Sequence, residues 1–366
     1  MKIGAKVLHI IPNLAQGGAE TQLLELVSKN NTHIICQLLP EKNNIDCIST
    51  NIYSLNMKRK IPDIRAFYKL YKIILEVKPD IIHSWMYHAC LLEVLLRKIT
   101  NNKNIPLVWG LRCSNMNLRY YSKQLKFIIK ACSFFSYTPN LIVHNSYQGK
   151  IIHDNLGFKK NNIVISNGID TKKYAPNKIF RHNFRKKYKI SNTAKVLLCV
   201  SRLDPMKDHL TLLESFKKIR KTYSEVILVL AGLGTEKFYN IENVIALGGN
   251  DKINEVYAAS DIIVSSSAFG EGFSNALGEG MASGLVPVAT NVGDARYIIK
   301  NLGKIVNPKS SSKLANAVIE ILNLSENDFM SYKAKVRIRI IDHFSKDIML
   351  KNYDKIYNDL IAGVKK

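Results

Sequence analysis

The sequence predicts an α/β protein of two doubly wound, Rossmann-like domains, each a parallel sheet with helices on both faces. Two observations predict it. Short apolar runs rich in Val, Ile and Leu alternate with stretches of helical periodicity, the grammar of repeated strand and helix units. The alternation occurs twice, and 366 residues suffice for two domains of ordinary size. The expected domains are residues 1–175 and 176–345, with a closing basic helix in residues 346–366 that packs back toward the first domain.

Taken in order, residues 6–11 read as a buried strand, 12–18 as a Gly-rich turn, and 19–28 as a helix with apolar positions at Leu23, Leu24 and Val27. The Gly17-Gly18 pair lets backbone approach a ligand closely, although it lacks the spacing of a dinucleotide fingerprint. A strand over 34–39, a polar loop and a helix near 63–77 follow. Pro79 and Asp80 introduce a strand over 81–84, and further strands are expected at 107–109, 141–143 and 163–165. Past Asn167-Gly168-Ile169-Asp170 the pattern loosens into a Lys-rich connector containing Pro176. A second series of strands starts at 196–200 and continues at 226–231, 244–247, 262–264 and 286–289. Ligands of such folds bind at the carboxyl ends of the strands, here in a central cleft between the two sheets.

Composition narrows the class. With 46% hydrophobic and 22% charged residues the chain is neither disordered nor collagenous. No apolar run reaches the ~18 residues that span a bilayer, and residues 7–11 are too short for a secretory core. A cytoplasmic chain is expected. The six cysteines lack C-x-x-C spacing and read as reduced, mostly core thiols; no metal is expected. The net charge of +24 calls for a polyanionic partner, either nucleic acid or an anionic membrane. Residues 58–130 hold fifteen Lys and Arg against four acids, nearly all the excess of the first half.

The chemistry concentrates in the second half. Residues 270–283 follow a strand and open a helix at Ser274 or Asn275, both good N-cap types. Glu271 lies before the first turn, and Glu279 lies on the helix, about 7 Å of axial rise below Ser274. Between them are the free N–H groups and positive dipole end that a phosphate prefers. A nucleotide sugar, with an anionic centre and a polyhydroxyl group at each end, suits that layout. A solvated helix start with one capping carboxylate is the plainer alternative. Arg202 and Lys207 emerge just past another strand, before a helix beginning near Asp208, and could clamp a diphosphate. Ordinary surface ion pairing is equally compatible with those two cations alone.

Together these motifs resemble the retaining GT-B glycosyltransferases of family four, over nearly the whole chain. Glu271 and Glu279 have that family's E-x7-E spacing, and Arg202 and Lys207 fall at its pyrophosphate-binding Arg and Lys. Gly17-Gly18-Ala19-Glu20 matches its first-domain glycine loop, and Asn167-Gly168-Ile169-Asp170 its interdomain strand ending. The resemblance implies that Glu279 accepts hydrogen bonds from ribose hydroxyls and that Glu271 holds sugar hydroxyls near the reacting carbon. Backbone N–H groups of Gly272, Phe273 and Ser274 would contact sugar and phosphates. Arg202 and Lys207 would stabilise the leaving diphosphate, preorganised help usually worth several kcal/mol, and Gly17 and Gly18 would close on the phosphates. Retention of anomeric configuration and independence of metal or other cofactor are likewise implied by the family.

The first domain departs from the pattern at Arg112, which stands where many members carry a His, and its role as an acceptor or phosphate ligand is left open. His88 sits past a strand end where related proteins reach the cleft, and is assigned to the catalytic group; packing of a helix is the alternative. His83, at a strand end itself, is expected to be structural. Gly278 is unusual inside a helix, where it costs up to ~1 kcal/mol relative to Ala. Arg119, Lys123, Lys126 and Lys130 recur at helical spacing opposite Leu125, Ile128, Cys132 and Phe135, and Arg65, Lys69 and Lys72 repeat the arrangement. Basic amphipathic helices in an acceptor-binding domain suit an anionic bilayer; no nucleic-acid module is recognisable. The expected activity is transfer of a sugar from a nucleotide-sugar donor, UDP-linked, to a lipid-linked or surface-glycan acceptor, at the inner face of a membrane. An epimerase of the same fold and a non-catalytic polyanion-binding protein are the rivals.

Overall fold

The structure, a computed structural model, describes residues 5–14, 17–28, 30–40, 51–58, 63–100, 102–114, 120, 122–158 and 161–364. The chain divides into two compact units, Met1–Ser166 with Met349–Lys366, and Asn167–Ile348.

The first unit contains β1 (Val7–Ile11), α1 (Gly18–Val27), β2 (His33–Gln37), β3 (Ile52–Ser54), α2 (Ile64–Val77), β4 (Ile81–Trp85) and α3 (Met86–Ile99). It continues with β5 (Leu107–Leu111), α4 (Lys123–Phe135), β6 (Leu141–His144), α5 (Tyr147–Asn155) and β7 (Asn162–Val164). The second unit contains α6 (Lys178–Lys187), β8 (Val196–Val200), α7 (His209–Arg220), β9 (Ile227–Ala231), β10 (Val244–Gly248), α8 (Ile253–Ala259) and β11 (Ile262–Ser265). Then come α9 (Asn275–Ala282), β12 (Val286–Thr290), α10 (Ala295–Ile299), β13 (Lys304–Val306), α11 (Ser311–Leu322) and α12 (Glu326–Phe344). The closing α13 (Lys346–Val364) belongs to the first unit from Met349 onward.

Both sheets are parallel, in the orders β3-β2-β1-β4-β5-β6-β7 and β10-β9-β8-β11-β12-β13. Their residues alternate between two covered faces, which is why the strands read as unbroken apolar runs. In the first sheet Leu8 and Ile10 pack with Leu70, Ala89 and Ile128 of α2, α3 and α4. Val7 and Ile11 pack oppositely, with Leu23 and Leu26 of α1 and Tyr353 and Tyr357 of α13. In the second sheet Leu197 and Cys199 face Leu212 and Phe216 of α7, while Val196 and Leu198 face Leu277 and Met281 of α9. All five cysteines among the described residues are buried and free; Cys47 lies outside them. No helix of the described residues is long and apolar enough to cross a membrane.

The observed junctions differ from the expected ones. Residues 167–175 join the second unit because Ile169 N–H donates to the Phe344 carbonyl at 2.8 Å and Lys346 pairs with Asp170. The expected Lys-rich connector contains α6, capped by the Asn177 side chain, which accepts from Phe180 N–H.

Candidate active site

In the second sheet the strand order reverses between β8 and β11, so the segments leaving these strands flank a crevice at the sheet's carboxyl edge. The β8 segment carries Ser201, Arg202 and Lys207 into α7, which Asp208 caps by accepting from Thr211 N–H. The β11 segment carries Ser266, Ser267 and Glu271 into α9, with Ser274 as the N-cap. Two hydrogen bonds tie the segments together: Ala268 N–H to the Met206 carbonyl at 2.7 Å, and Ser266 Oγ to the Lys207 carbonyl at 2.8 Å.

Within this crevice the Lys207 ammonium pairs with Glu271 Oε1, and Ser267 Oγ donates to the same oxygen at 2.7 Å. Burial by itself would raise the Glu271 pKa. The Lys207 charge and hydrogen bond outweigh it, with help from Ser267 and Arg202, and hold the carboxyl below its ordinary value. Glu271 is therefore a buried carboxylate, ionised at neutral pH. Glu279, half-buried on α9, is the opposite case. Burial raises its pKa despite the Tyr257 hydroxyl, which donates to its Oε2 at 2.8 Å. Arg202 is the most available cation, its side chain 55% exposed and 3.2 Å from Asp204.

The α9 mouth is built by close packing. Gly272 and Phe273 are buried, and the Phe273 ring packs on Phe344, so only its backbone lies at the helix mouth. Gly293 has φ +58°, and a Cβ there would collide with the Glu271 and Gly272 carbonyls. Gly278 is explained by packing: a Cβ would stand 2.9 Å from Ile169. Ser267 and Tyr257 are site residues the sequence reading missed, and no spacing signal links them to the glutamates they contact.

The first-unit candidates lie past the carboxyl ends of β1, β4 and β5. Gly17 is the N-cap of α1 and Gly18 its first residue. His88 is exposed in the first turn of α3. Arg112 is buried, its guanidinium 4.3 Å from the Trp85 ring centroid and donating to the Tyr353 hydroxyl. It caps a buried polar cluster. Trp85 Nε1–H donates to His9 Nδ1 at 3.1 Å, His9 Nε2 lies 3.1 Å from His33 Nδ1, and His83 Nδ1 meets Tyr357 Oη at 2.8 Å. Because the indole can only donate, neutral His9 carries its proton on Nε2 and donates to His33. His83 is fully buried in this cluster. Lys123, Lys126 and Lys130 are exposed on α4, as are Arg65, Lys69 and Lys72 on α2. Ile128 and Cys132 of α4 are buried, with Leu125 and Phe135 partly so. Arg119 lies outside the described residues.

Comparison with known proteins places this architecture. Residues 16–173 match the description "Glycosyltransferase Family 4", and residues 180–337 match "Glycosyl transferases group 1". The UDP-Gal:alpha-D-GlcNAc-diphosphoundecaprenol alpha-1,3-galactosyltransferase of Escherichia coli is 25% identical over 83% of this chain and 81% of its own length. The lipopolysaccharide 1,2-N-acetylglucosaminetransferase of Salmonella typhimurium is also 25% identical, over 47% and 50% respectively. Among solved structures, Anabaena Alr3699/HepE in complex with UDP and glucose superposes with a TM-score of 0.83 at 18% identity, over 97% of this chain and 99% of that one. WaaG, a glycosyltransferase involved in lipopolysaccharide biosynthesis, gives 0.73 at 13% identity, over 96% and 99%. With two doubly wound parallel sheets and both halves matched in order, the chain has the GT-B fold and belongs to the family four, group 1 glycosyltransferases.

Proposed function

We propose that this glycosyltransferase transfers a sugar, with retention of anomeric configuration, from a UDP-linked donor to a lipid-linked or surface-glycan acceptor. The carrying observation is the pairing of half-buried Lys207 with buried Glu271 at the β8/β11 switch point, beside the N-terminus of α9. Glu271 holds sugar hydroxyls, Glu279 receives ribose hydroxyls beside Tyr257, and backbone N–H groups at Gly272, Phe273 and Ser274 contact sugar and phosphates. Arg202 and Lys207 stabilise the charge developing on the leaving diphosphate, so the reaction runs without a metal. The UDP and glucose in the HepE complex, and the UDP-Gal donor and diphosphoundecaprenol-linked acceptor in the E. coli relative's name, support the choice of substrates. The enzyme works at the cytoplasmic face of a membrane, bound peripherally through α2 and α4.

The test is a thermal-shift screen of UDP-, GDP- and ADP-sugars in EDTA. A true sugar donor at a hundred times its Kd adds about 2.7 kcal/mol of stability and raises Tm by several degrees. Transfer to a lipid diphosphate sugar, with product anomers assigned by NMR, then separates a retaining transferase from an epimerase. Absence of any stabilising nucleotide sugar overturns the reading.

A further inference from the structure

Beside the Lys207 and Glu271 pair lies a second polar unit with no role in the scheme above. His209, the first residue of α7, is 3% exposed and stacks on Phe238 with ring centroids 6.0 Å apart. Its Nε2 lies 3.2 Å from Ser201 Oγ, and its Nδ1 has no partner. Ser201 in turn lines the pocket that Lys207, Glu271 and Ser274 also line.

The proton positions follow from donor and acceptor accounting. If His209 carried its proton on Nδ1, a buried N–H would be stranded, the rarer kind of orphan. With the proton on Nε2 the orphan is only an acceptor, and the ring donates to Ser201. Burial lowers the pKa of the imidazole, with the Ser201 backbone acting against it, so the ring is neutral. Ser201 Oγ is then occupied as an acceptor, and its own proton needs a partner. The remaining neighbour, Cys199 Sγ at 3.5 Å, is a weak acceptor whose thiol burial keeps protonated. The hydroxyl proton is left to the pocket.

We propose that Ser201 is a further contact for the sugar donor, its O–H held toward the diphosphate by His209 acting as a positioning residue. This rests on the proposed nucleotide-sugar site. It assigns that site a neutral hydrogen-bond donor alongside its two cations, fixed in direction by a buried ring.

Calorimetry with UDP and with inorganic pyrophosphate tests it, because pyrophosphate reports the phosphate contacts independently of the base. Ser201→Ala is expected to weaken both probes about tenfold, the scale of one hydrogen bond to a charged group, with an unchanged melting temperature. His209→Phe should lose as much, and His209→Gln, which keeps an N–H, should bind within about threefold of wild type. The double variant Ser201→Ala/His209→Phe should be no weaker than either single, since one residue acts through the other. Wild-type affinity in Ser201→Ala, or additive losses in the double variant, overturns the assignment while leaving the sugar-donor site standing. Failure of the wild-type protein to bind either probe overturns the site itself, and this inference with it.

Discussion

Arg202 and Lys207 carry the same charge but are held differently, and their substitutions should behave differently. Arg202 is more than half exposed and pairs with Asp204, two residues away. Arg202→Ala should therefore change stability by no more than about 0.5 kcal/mol, while lowering affinity for the nucleotide sugar. Lys207→Ala removes the cation that keeps buried Glu271 ionised and should cost about 3 kcal/mol in urea unfolding. Glu279→Ala is expected to weaken sugar-donor binding, and Glu271→Ala chiefly to lower kcat. Calorimetry giving wild-type affinity for both Arg202→Ala and Glu279→Ala would sink these roles. The four charged residues were legible because each lies at a fixed offset from a strand or helix start, which chain order preserves. Tyr257 was not, since tertiary packing alone brings it to Glu279, and Ser267, four residues before Glu271, meets it through a loop with no periodicity to read.

Helix α9 shows how an element can contradict its own propensities for the sake of packing. Gly278→Ala should improve intrinsic helicity by up to about 1 kcal/mol, yet the new methyl meets Ile169 at 2.9 Å. A net loss of about 1–3 kcal/mol is expected from overpacking. The double variant Gly278→Ala/Ile169→Val, with the ring of neighbours relaxed, should recover part of it; urea midpoints of the two variants decide. Both sheets were legible because parallel strands buried on two faces are continuous apolar runs. Edge strands β3 and β13 were missed: each has three half-buried residues and no such run. Helix α6 was missed for another reason. Its anchor is Arg185, 2% exposed, whose guanidinium donates to the Ala259 and Ala194 carbonyls and to Asp261. Phe184 is its one other buried residue, too narrow an apolar stripe to read.

At the scale of the molecule, buried histidines and surface lysines make opposite demands on pH and salt. Burial depresses the pKa of His9 and His83, with neighbouring charged groups adding to it, and lowers that of His33 to about 4. The unfolded chain takes up protons below about pH 6.5 that the folded chain refuses, so stability is full above that pH and declines toward pH 4. His33 alone should cost about 2 kcal/mol at pH 5, and His33→Gln should flatten the fall in urea midpoint between pH 7.5 and 5. The surface lysines bear on location. Lys123, Lys126 and Lys130 are exposed on α4 together with Phe127 and Phe134, which are 70% and 72% exposed. Exposed rings among cations are suited to the interface of an anionic bilayer, where each Lys contributes about 1 kcal/mol. Replacing the three lysines with Gln should reduce binding to phosphatidylglycerol vesicles about a hundredfold, with hydrolysis of the nucleotide sugar unchanged. Phe127→Ser/Phe134→Ser should weaken the part of the binding that survives high salt, because screening removes the charge term and leaves the apolar one. If the triple-Gln variant sediments with vesicles as wild type does, the stripe is an ordinary solvated face, and the acceptor must reach the enzyme without it.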